Sequence, residues 1–379
     1  MSGSVLPAML SEQHPAAGDA SNGAANPQPS KASNDAPNGQ ASNTASTSYP
    51  TAEQIKEYWA QLLEKEKVGI RHLCPDSERQ GQAKKAEFMA KTIIDKGCKK
   101  EVAVQLSILA LYDLVLLVDN SISMGFSENK SRVTTLKATL KQVAGLYQLV
   151  SQGYNPNPEK DGEKGGGKGG GIVSVKFLNP YGNKGHGYRD ITPGKVNNMV
   201  DDVGFRGLTR IGTELLNRIL KVYADVTQIK RPLLVVIFTD GEIEGEPDGL
   251  LKDVLTNTAA QHAQEDTSRA HLISYQFVAV GDDAGARELL EALDDDEKIG
   301  DYIDCLYGED LDRLAKNPKE KWEILPKLFL GSILEDWDKY PGKHDIALET
   351  PTKELESRTI NPNDQGDQEV VEVAEETDW

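Results

Sequence analysis

The sequence predicts an α/β fold with a doubly wound, mostly parallel sheet, an N-terminal helical extension and disordered tails. Three observations carry that prediction. Between residues 111 and 310, five short runs of branched apolar residues alternate with stretches of helical periodicity. Two of these runs stop abruptly at an aspartate, as strands do where they open into the ligand crevice of a parallel sheet. Apolar residues make up only 38% of the 379 and concentrate in the middle of the chain, where one sizeable core is expected.

Residues 1–50 are rich in Ala, Ser, Asn, Pro and Gly, so they bury too little surface to offset ordering entropy and read as a disordered tail. Residues 51–110 read as the helical extension. Ile55, Trp59, Leu62 and Leu63 recur at helical spacing, and a second helix spans Ala83 to Ile94, ending near Gly97. In EVAVQLSILA, Val102, Val104, Leu106 and Ile108 alternate as in a strand, yet Val102, Leu106 and Leu109 share a helical face. The preceding lysines and the Ala and Gln content favour helix.

The main domain is placed at 111–340. Its strands are expected at Leu114–Val118, Ile172–Leu178, Leu233–Thr239, Leu272–Val280 and Tyr302–Leu306. Val133, Leu136, Leu140, Val143 and Tyr147 mark one amphipathic helix; Leu215, Leu216, Ile219, Val222 and Tyr223 mark another. A last helical region, Asp310 to Trp337, is expected to pack back on the sheet. The Gly-rich insertion at 161–171 has the spacing of a phosphate-binding loop from Gly162 to Lys168. Gly169, however, stands where a metal-holding hydroxyl is needed and no strand precedes it, so a flexible surface insertion is the better reading. Residues 341–379 read as an acidic disordered tail, with a short partner motif around Val370, Val371 and Trp379 as the lesser alternative.

A formal net charge of −18 argues against nucleic acid and anionic membrane surfaces, leaving cations, proteins and small molecules as partners. Cys74, Cys98 and Cys305 show no metal-binding or redox spacing and read as reduced structural thiols. The amino terminus lacks the basic start and apolar run of a signal peptide, and no segment is apolar for long enough to span a bilayer. A cytoplasmic protein is therefore expected. His72, His186 and His262 lie in separate polar surroundings and read as surface or structural residues.

Chemistry concentrates at the strand ends. After Leu114–Val118 come Asp119, Ser121 and Ser123, a carboxylate and two hydroxyls at alternate positions. Thr209 lies in a Gly-rich loop just before a helix, and Asp240 ends another strand. Neighbouring parallel strands bring their carboxyl ends to one edge, so these five residues can converge from three loops. Such oxygen ligands suit a hard cation such as Mg²⁺ or Mn²⁺. Neutral hydroxyls leave the ion much of its charge, which a carboxylate from another molecule can neutralise after displacing a water.

With these residues in place, the chain resembles the von Willebrand factor type A (vWA) domain family, a Rossmann-like fold, in its intracellular form. The match covers residues 111–310, about half of the chain. Asp119-Asn-Ser121-Ile-Ser123, Gly207-Leu-Thr209 and Thr239-Asp240-Gly241 correspond in order to that family's metal-ion-dependent adhesion site. Ile122 departs from it, standing where the family often carries Gly. Thr213 is a second candidate, but the Gly-x-Thr spacing and following helix favour Thr209. The resemblance implies Mg²⁺ ligated by Ser121, Ser123 and Thr209, with Asp119 and Asp240 acting directly or through water. It also implies a protein partner whose Asp or Glu fills the open position.

The resulting expectation is a non-catalytic, divalent-cation-dependent protein-interaction domain, with no catalytic residue and no cofactor but the ion. One alternative is a scaffold subunit of an intracellular complex that docks through its helical extension. A minor alternative is a Mg²⁺-dependent phosphohydrolase of the haloacid-dehalogenase kind. In those enzymes a second Asp stands two residues after the first as acid/base, and here Ser121 takes that place.

Overall fold

The computed structural model describes residues 49–339 apart from 66, 126–130, 152–171, 173, 182–186, 226–228, 242 and 265–266. Apart from Tyr49, whose hydroxyl donates to Asp95 Oδ1, and the buried Pro50, the two tails, the Gly-rich insertion and His186 therefore lie outside the described residues.

The chain opens with three helices, α1 (Ala52–Lys65), α2 (Asp76–Ile94) and α3 (Lys100–Leu106), the last continuing as a 3₁₀ turn to Ala110. β1 (Asp113–Val118) follows, then the short α4 (Ile122–Gly125) and the long α5 (Ser131–Ser151). β2 (Ser174–Phe177) and α6 (Val196–Val203) lead to α7 (Ile211–Glu214), a π-helical turn Leu215–Leu220, and α8 (Lys221–Tyr223). The second half alternates β3 (Leu233–Thr239), α9 (Leu250–Ala263), β4 (Ile273–Ala279), α10 (Ala284–Asp294) and β5 (Ile303–Leu306). It closes with α11 (Gly308–Lys316), α12 (Lys321–Leu330) and α13 (Glu335–Asp338).

All five strands are parallel, in the order β2-β1-β3-β4-β5. The chain moves outward from β1 to β2, then returns to the other side of β1 to build β3, β4 and β5. The winding direction thus reverses between β1 and β3, and the carboxyl ends of those strands flank the crevice of such a sheet. Their register is level there, with Val118 opposite Phe238, and Thr239 opposite Ala279. Two antiparallel bridges, Ile172 to Ile191 and Val175 to Tyr188, line the β2 edge, so the sheet is doubly wound and mostly parallel, as the sequence predicts. β3 and β4 are buried at every position, the mark of a sheet covered on both faces.

The helical extension is part of this core. Ile55, Trp59, Leu62 and Leu63 of α1 are buried, as are Met89 and Ile93 of α2. The Trp59 indole N–H donates to Ser107 Oγ at 3.0 Å. Residues 100–110 are helical, so the shared face of Val102, Leu106 and Leu109 prevails over the strand-like alternation. On α5, the Tyr147 hydroxyl accepts from Leu114 N–H at 3.1 Å and donates to the Tyr112 carbonyl at 2.9 Å, tying that helix to the root of β1.

Two helices depart from expectation: α2 starts at Asp76 and not at Ala83, and the helix that follows α7 does not bury the stripe expected of it. Leu215 and Ile219 are buried, but Val222 is 56% exposed. The π-helical turn accounts for this, since an i→i+5 turn shifts the phase of every side chain after it. Among the described residues no helix is long and apolar enough to cross a membrane.

Candidate metal centre

Asp119 is the last residue that the sheet holds, its N–H donating to the Phe238 carbonyl at 2.8 Å. Its carboxylate is fully buried. Oδ1 accepts the Ser121 N–H at 2.7 Å, an Asx-type turn that bends the chain out of the strand. Oδ2 accepts the hydroxyl of Thr239, the last residue of β3, at 2.9 Å. Asp119 therefore clamps the ends of β1 and β3 together.

From that turn a chain of oxygens crosses the crevice. The Ser121 and Ser123 hydroxyls lie 2.9 Å apart, and Ser123 Oγ donates to Asp240 Oδ1 at 3.0 Å. The other oxygen of Asp240 accepts from Arg132 Nη1 at 2.5 Å. Four of the five sequence-predicted residues thus belong to one connected network. The fifth, Thr209, is buried in the loop 204–210, which hydrogen bonds hold between the turns after β1 and β3. Arg206 N–H donates to the Asn120 carbonyl at 2.7 Å, Ile122 N–H to that of Gly207 at 3.3 Å, and Glu244 N–H to that of Thr209 at 3.1 Å. Gly207 has a φ of +75°, and a Cβ there would stand 2.2 Å from Asn179 Oδ1, so this loop needs glycine at that point. Thr213 sits inside α7, where the Glu246 carboxylate accepts its N–H at 2.7 Å and that of Gly212 at 2.8 Å.

Burial pushes the Asp119 carboxyl up to about 6, although the hydrogen bonds from Ser121 oppose the shift. Burial raises Asp240 too, and the Arg132 guanidinium works against that rise. Two buried carboxylates facing one crevice disfavour their own ionisation, a penalty that a bound cation relieves.

The donor set fits a small hard ion. In an octahedron with bonds of 2.0–2.1 Å, neighbouring oxygens stand about 2.9 Å apart. The Ser121–Ser123 and Ser123–Asp240 oxygen pairs are separated by 2.9 and 3.0 Å. Hydroxyl and carboxylate oxygens with no sulfur or imidazole among them suit hard divalent cations.

Several supporting residues have no counterpart in the sequence-based site. Asn120 is fully buried; its Nδ2 donates to the carbonyls of Asn179 and Gly204, each at 3.0 Å, and its Oδ1 accepts the Asn179 N–H at 2.8 Å. Asn179 Nδ2 in turn donates to the Leu208 carbonyl at 2.8 Å. Arg132 carries the one sequence signal that could have been used. It stands in the first turn of α5, where the helix dipole disfavours a cation.

A second acidic group lies away from these loops. Asp294, Asp304 and Asp338 bring carboxylate oxygens within 4.8 Å of one another. Lys327 is their built-in cation: its ammonium donates to Asp304 Oδ1 and, at 2.7 Å, to the Asp338 carbonyl. His262 is buried on α9 and His72 is exposed; the three cysteines are free and buried, and burial pushes the Cys74 thiol up to about 11.

The chain matches no family model and no curated protein. Among solved structures it is similar to proximal thread matrix protein 1 from the mussel byssus, at 13% identity and a TM-score of 0.30, over 55% of this chain and 45% of that one. A form of the same mussel protein with a zinc-occupied MIDAS motif is similar at 16% identity and a TM-score of 0.30, over 54% and 46%. This chain spans slightly under half the length of those chains.

Proposed function

We propose that this protein is a non-catalytic interaction module that holds Mg²⁺ or Mn²⁺ and uses it to capture a carboxylate of a partner protein. The observation that carries this reading is the oxygen network from Asp119 through Ser121 and Ser123 to Asp240, at the crevice between β1 and β3. Ser121, Ser123 and Thr209 would hold the ion, with Asp119 and Asp240 supplying the negative charge that retains it. The ion would supply Lewis-acid attraction for a carboxylate at an open position.

The surroundings of Asp119 weigh against the phosphohydrolase reading. Both of its oxygens already accept hydrogen bonds and neither faces solvent, so it is poorly placed to attack a phosphoryl group. The scaffold reading is weakened because most apolar side chains of α1 and α2 are spent within the core, with Phe88 on α2 the exposed exception.

The rim of the crevice supports a protein ligand. Five large apolar side chains are exposed among the described residues, and three of them, Ile122, Tyr181 and Leu208, lie on or beside the site loops. The Arg206 guanidinium stacks on the Tyr181 ring at 4.1 Å. Apolar side chains and a cation around an oxygen-lined crevice suit an Asp or Glu flanked by apolar residues.

Calorimetric titration with Mn²⁺ tests the reading. Saturable binding at one site is expected, abolished in Ser121→Ala/Ser123→Ala. Undiminished binding in that double variant would refute the assigned ligands. The absence of any binding by the wild type would refute the reading altogether.

A further inference from the structure

Arg132 is an unusual neighbour for a cation site. Its guanidinium donates to Asp240 Oδ2 at 2.5 Å, while Ser123 occupies Oδ1, so neither oxygen of that buried carboxylate is idle. The arginine side chain retains 21% of its exposure, whereas the Asp240 side chain has none. It reaches the crevice from the first turn of α5, a position that costs helix stability unless the charge finds a partner. The bed it lies on is shaped for it. Gly281, just beyond β4, has a φ of +106°, and a Cβ there would stand 2.8 Å from Arg132 Nε. Gly308, just beyond β5, is packed so closely on the Gly281 backbone that a Cβ would stand 2.0 Å from its carbonyl oxygen. Gly281 thus leaves room beside the guanidinium, and Gly308 lets the Gly281 backbone sit where it does.

We infer that Arg132 is a tethered counter-cation of the metal centre, which weakens the hold on the divalent ion and strengthens the hold of the loaded site on a carboxylate. The inference rests on the metal-binding reading above and adds to it a charge balance. Asp119, Asp240 and Arg132 together leave one net negative charge in the crevice. A divalent ion reverses this to one net positive charge, and a single incoming carboxylate cancels it. Without Arg132 the two carboxylates alone would neutralise the ion, and a third would leave the crevice negative. One unit charge a few ångströms away, in a site largely shielded from water, is enough for a tenfold effect or more. The arginine therefore makes the bare site a poorer metal store and the loaded site a better carboxylate receptor. In the absence of metal it also stabilises Asp240, which would otherwise be a buried charge without a cation.

Arg132→Gln and Arg132→Lys in the full chain, with Asp119→Ala as a control, test this through two opposed readouts. Mn²⁺ affinity is measured by calorimetry. Acetate is then added to the Mn²⁺-loaded protein, and its displacement of metal-bound water is followed by the fall in proton relaxation enhancement. Arg132→Gln is expected to bind Mn²⁺ about tenfold more tightly than the wild type and acetate about tenfold more weakly, with Arg132→Lys close to the wild type in both. Should Arg132→Gln be poorly folded without metal, the rise in Tm on adding Mn²⁺ replaces calorimetry, and a larger rise than in the wild type is expected. Unchanged or weaker Mn²⁺ binding by Arg132→Gln, or unchanged acetate binding, would overturn the role of Arg132 and leave the metal site standing. No Mn²⁺ binding by any of these proteins would instead overturn the metal site itself, and the inference with it.

Discussion

The Trp337 indole N–H donates to the buried Gln105 Oε1 at 3.0 Å, joining residues 232 positions apart. One belongs to the last helix and the other to the helical extension, so the two ends of the described chain close on one another across the core. Gln105→Leu removes this acceptor from the buried indole N–H. Loss of one such bond costs about 0.5–1.5 kcal/mol. A matching fall in stability by urea unfolding, with Mn²⁺ affinity unchanged, is expected. Equal stability of variant and wild type would show that this bond does not fasten the extension.

Gly331 allows α12 to close on β5. A Cβ at that position would stand 1.7 Å from Asp304 Oδ2 and 2.9 Å from the Lys327 carbonyl, both within the buried ion-pair region. Gly331→Ala is expected to destabilise by about 3 kcal/mol, since a packed core cannot yield that distance without moving the helix. Gly81, inside α2 with nothing within 4 Å of its would-be Cβ, supplies the contrast. Gly81→Ala is expected to stabilise by roughly 0.5–1 kcal/mol. Thermal unfolding of both variants checks the pair, and a like response would refute the steric argument.

The strands and the oxygen ligands were legible because each leaves a local mark. A fully buried parallel strand is mostly apolar, as Leu233 to Phe238 is throughout and as β4 is apart from Ser274 and Gln276, and Asp119 and Asp240 each mark where such a strand stops. What the sequence hid depends on partners distant in the chain. α9 buries Leu251, Val254, Leu255, Thr258 and His262, so polar residues complete its inner face and the apolar stripe fades halfway. The π-helical turn after Glu214 is a tertiary choice, and with it the outward placement of Val222. Nothing local singles out Arg132 among the arginines, or Asn120 among the asparagines, as the residue whose partners lie at the site. The helix-dipole mismatch of Arg132 is the nearest thing to a clue.

Asp294 should make the protein less stable as the pH rises toward neutrality. Burial lifts its carboxyl to about 7, helped by Asp304 and Asp338 and to a lesser degree by Asp295, with Lys327 opposing. Its Oδ1 is buried without a hydrogen-bond partner among the described residues. Asp304, raised to about 6 chiefly by burial, titrates in the same range. Both folded values exceed the unfolded carboxyl value of about 3.9. The folded state therefore binds more protons than the unfolded state between about pH 4 and 7, and stability falls as pH rises through that window. Asp294→Asn is expected to flatten this dependence and to stabilise by on the order of 1 kcal/mol at pH 7.5 while changing little at pH 4. Parallel curves for variant and wild type from pH 4 to 8 would exclude this source.

Asn120 is expected to govern metal affinity without touching the metal. It lies between Asp119 and Ser121, yet its side chain turns the other way, into bonds with the Asn179 N–H and the Asn179 and Gly204 carbonyls. Those bonds, with the Arg206 N–H on its own carbonyl, fasten the start of the loop that carries Thr209. Asn120→Ala strands the buried N–H and carbonyl of Asn179 and the half-buried Gly204 carbonyl, at a cost of about 2–4 kcal/mol in stability. It also frees the loop to move relative to Ser121 and Ser123, so Mn²⁺ affinity should fall about tenfold although every oxygen ligand remains. Asn120→Asp keeps the acceptor but loses both donors, and its added carboxylate would attract the ion. Recovery of Mn²⁺ affinity in that variant without recovery of stability would show charge to be decisive. Loss of both would show that the pinned loop sets the affinity, which is the outcome expected from the bonds that Asn120 makes.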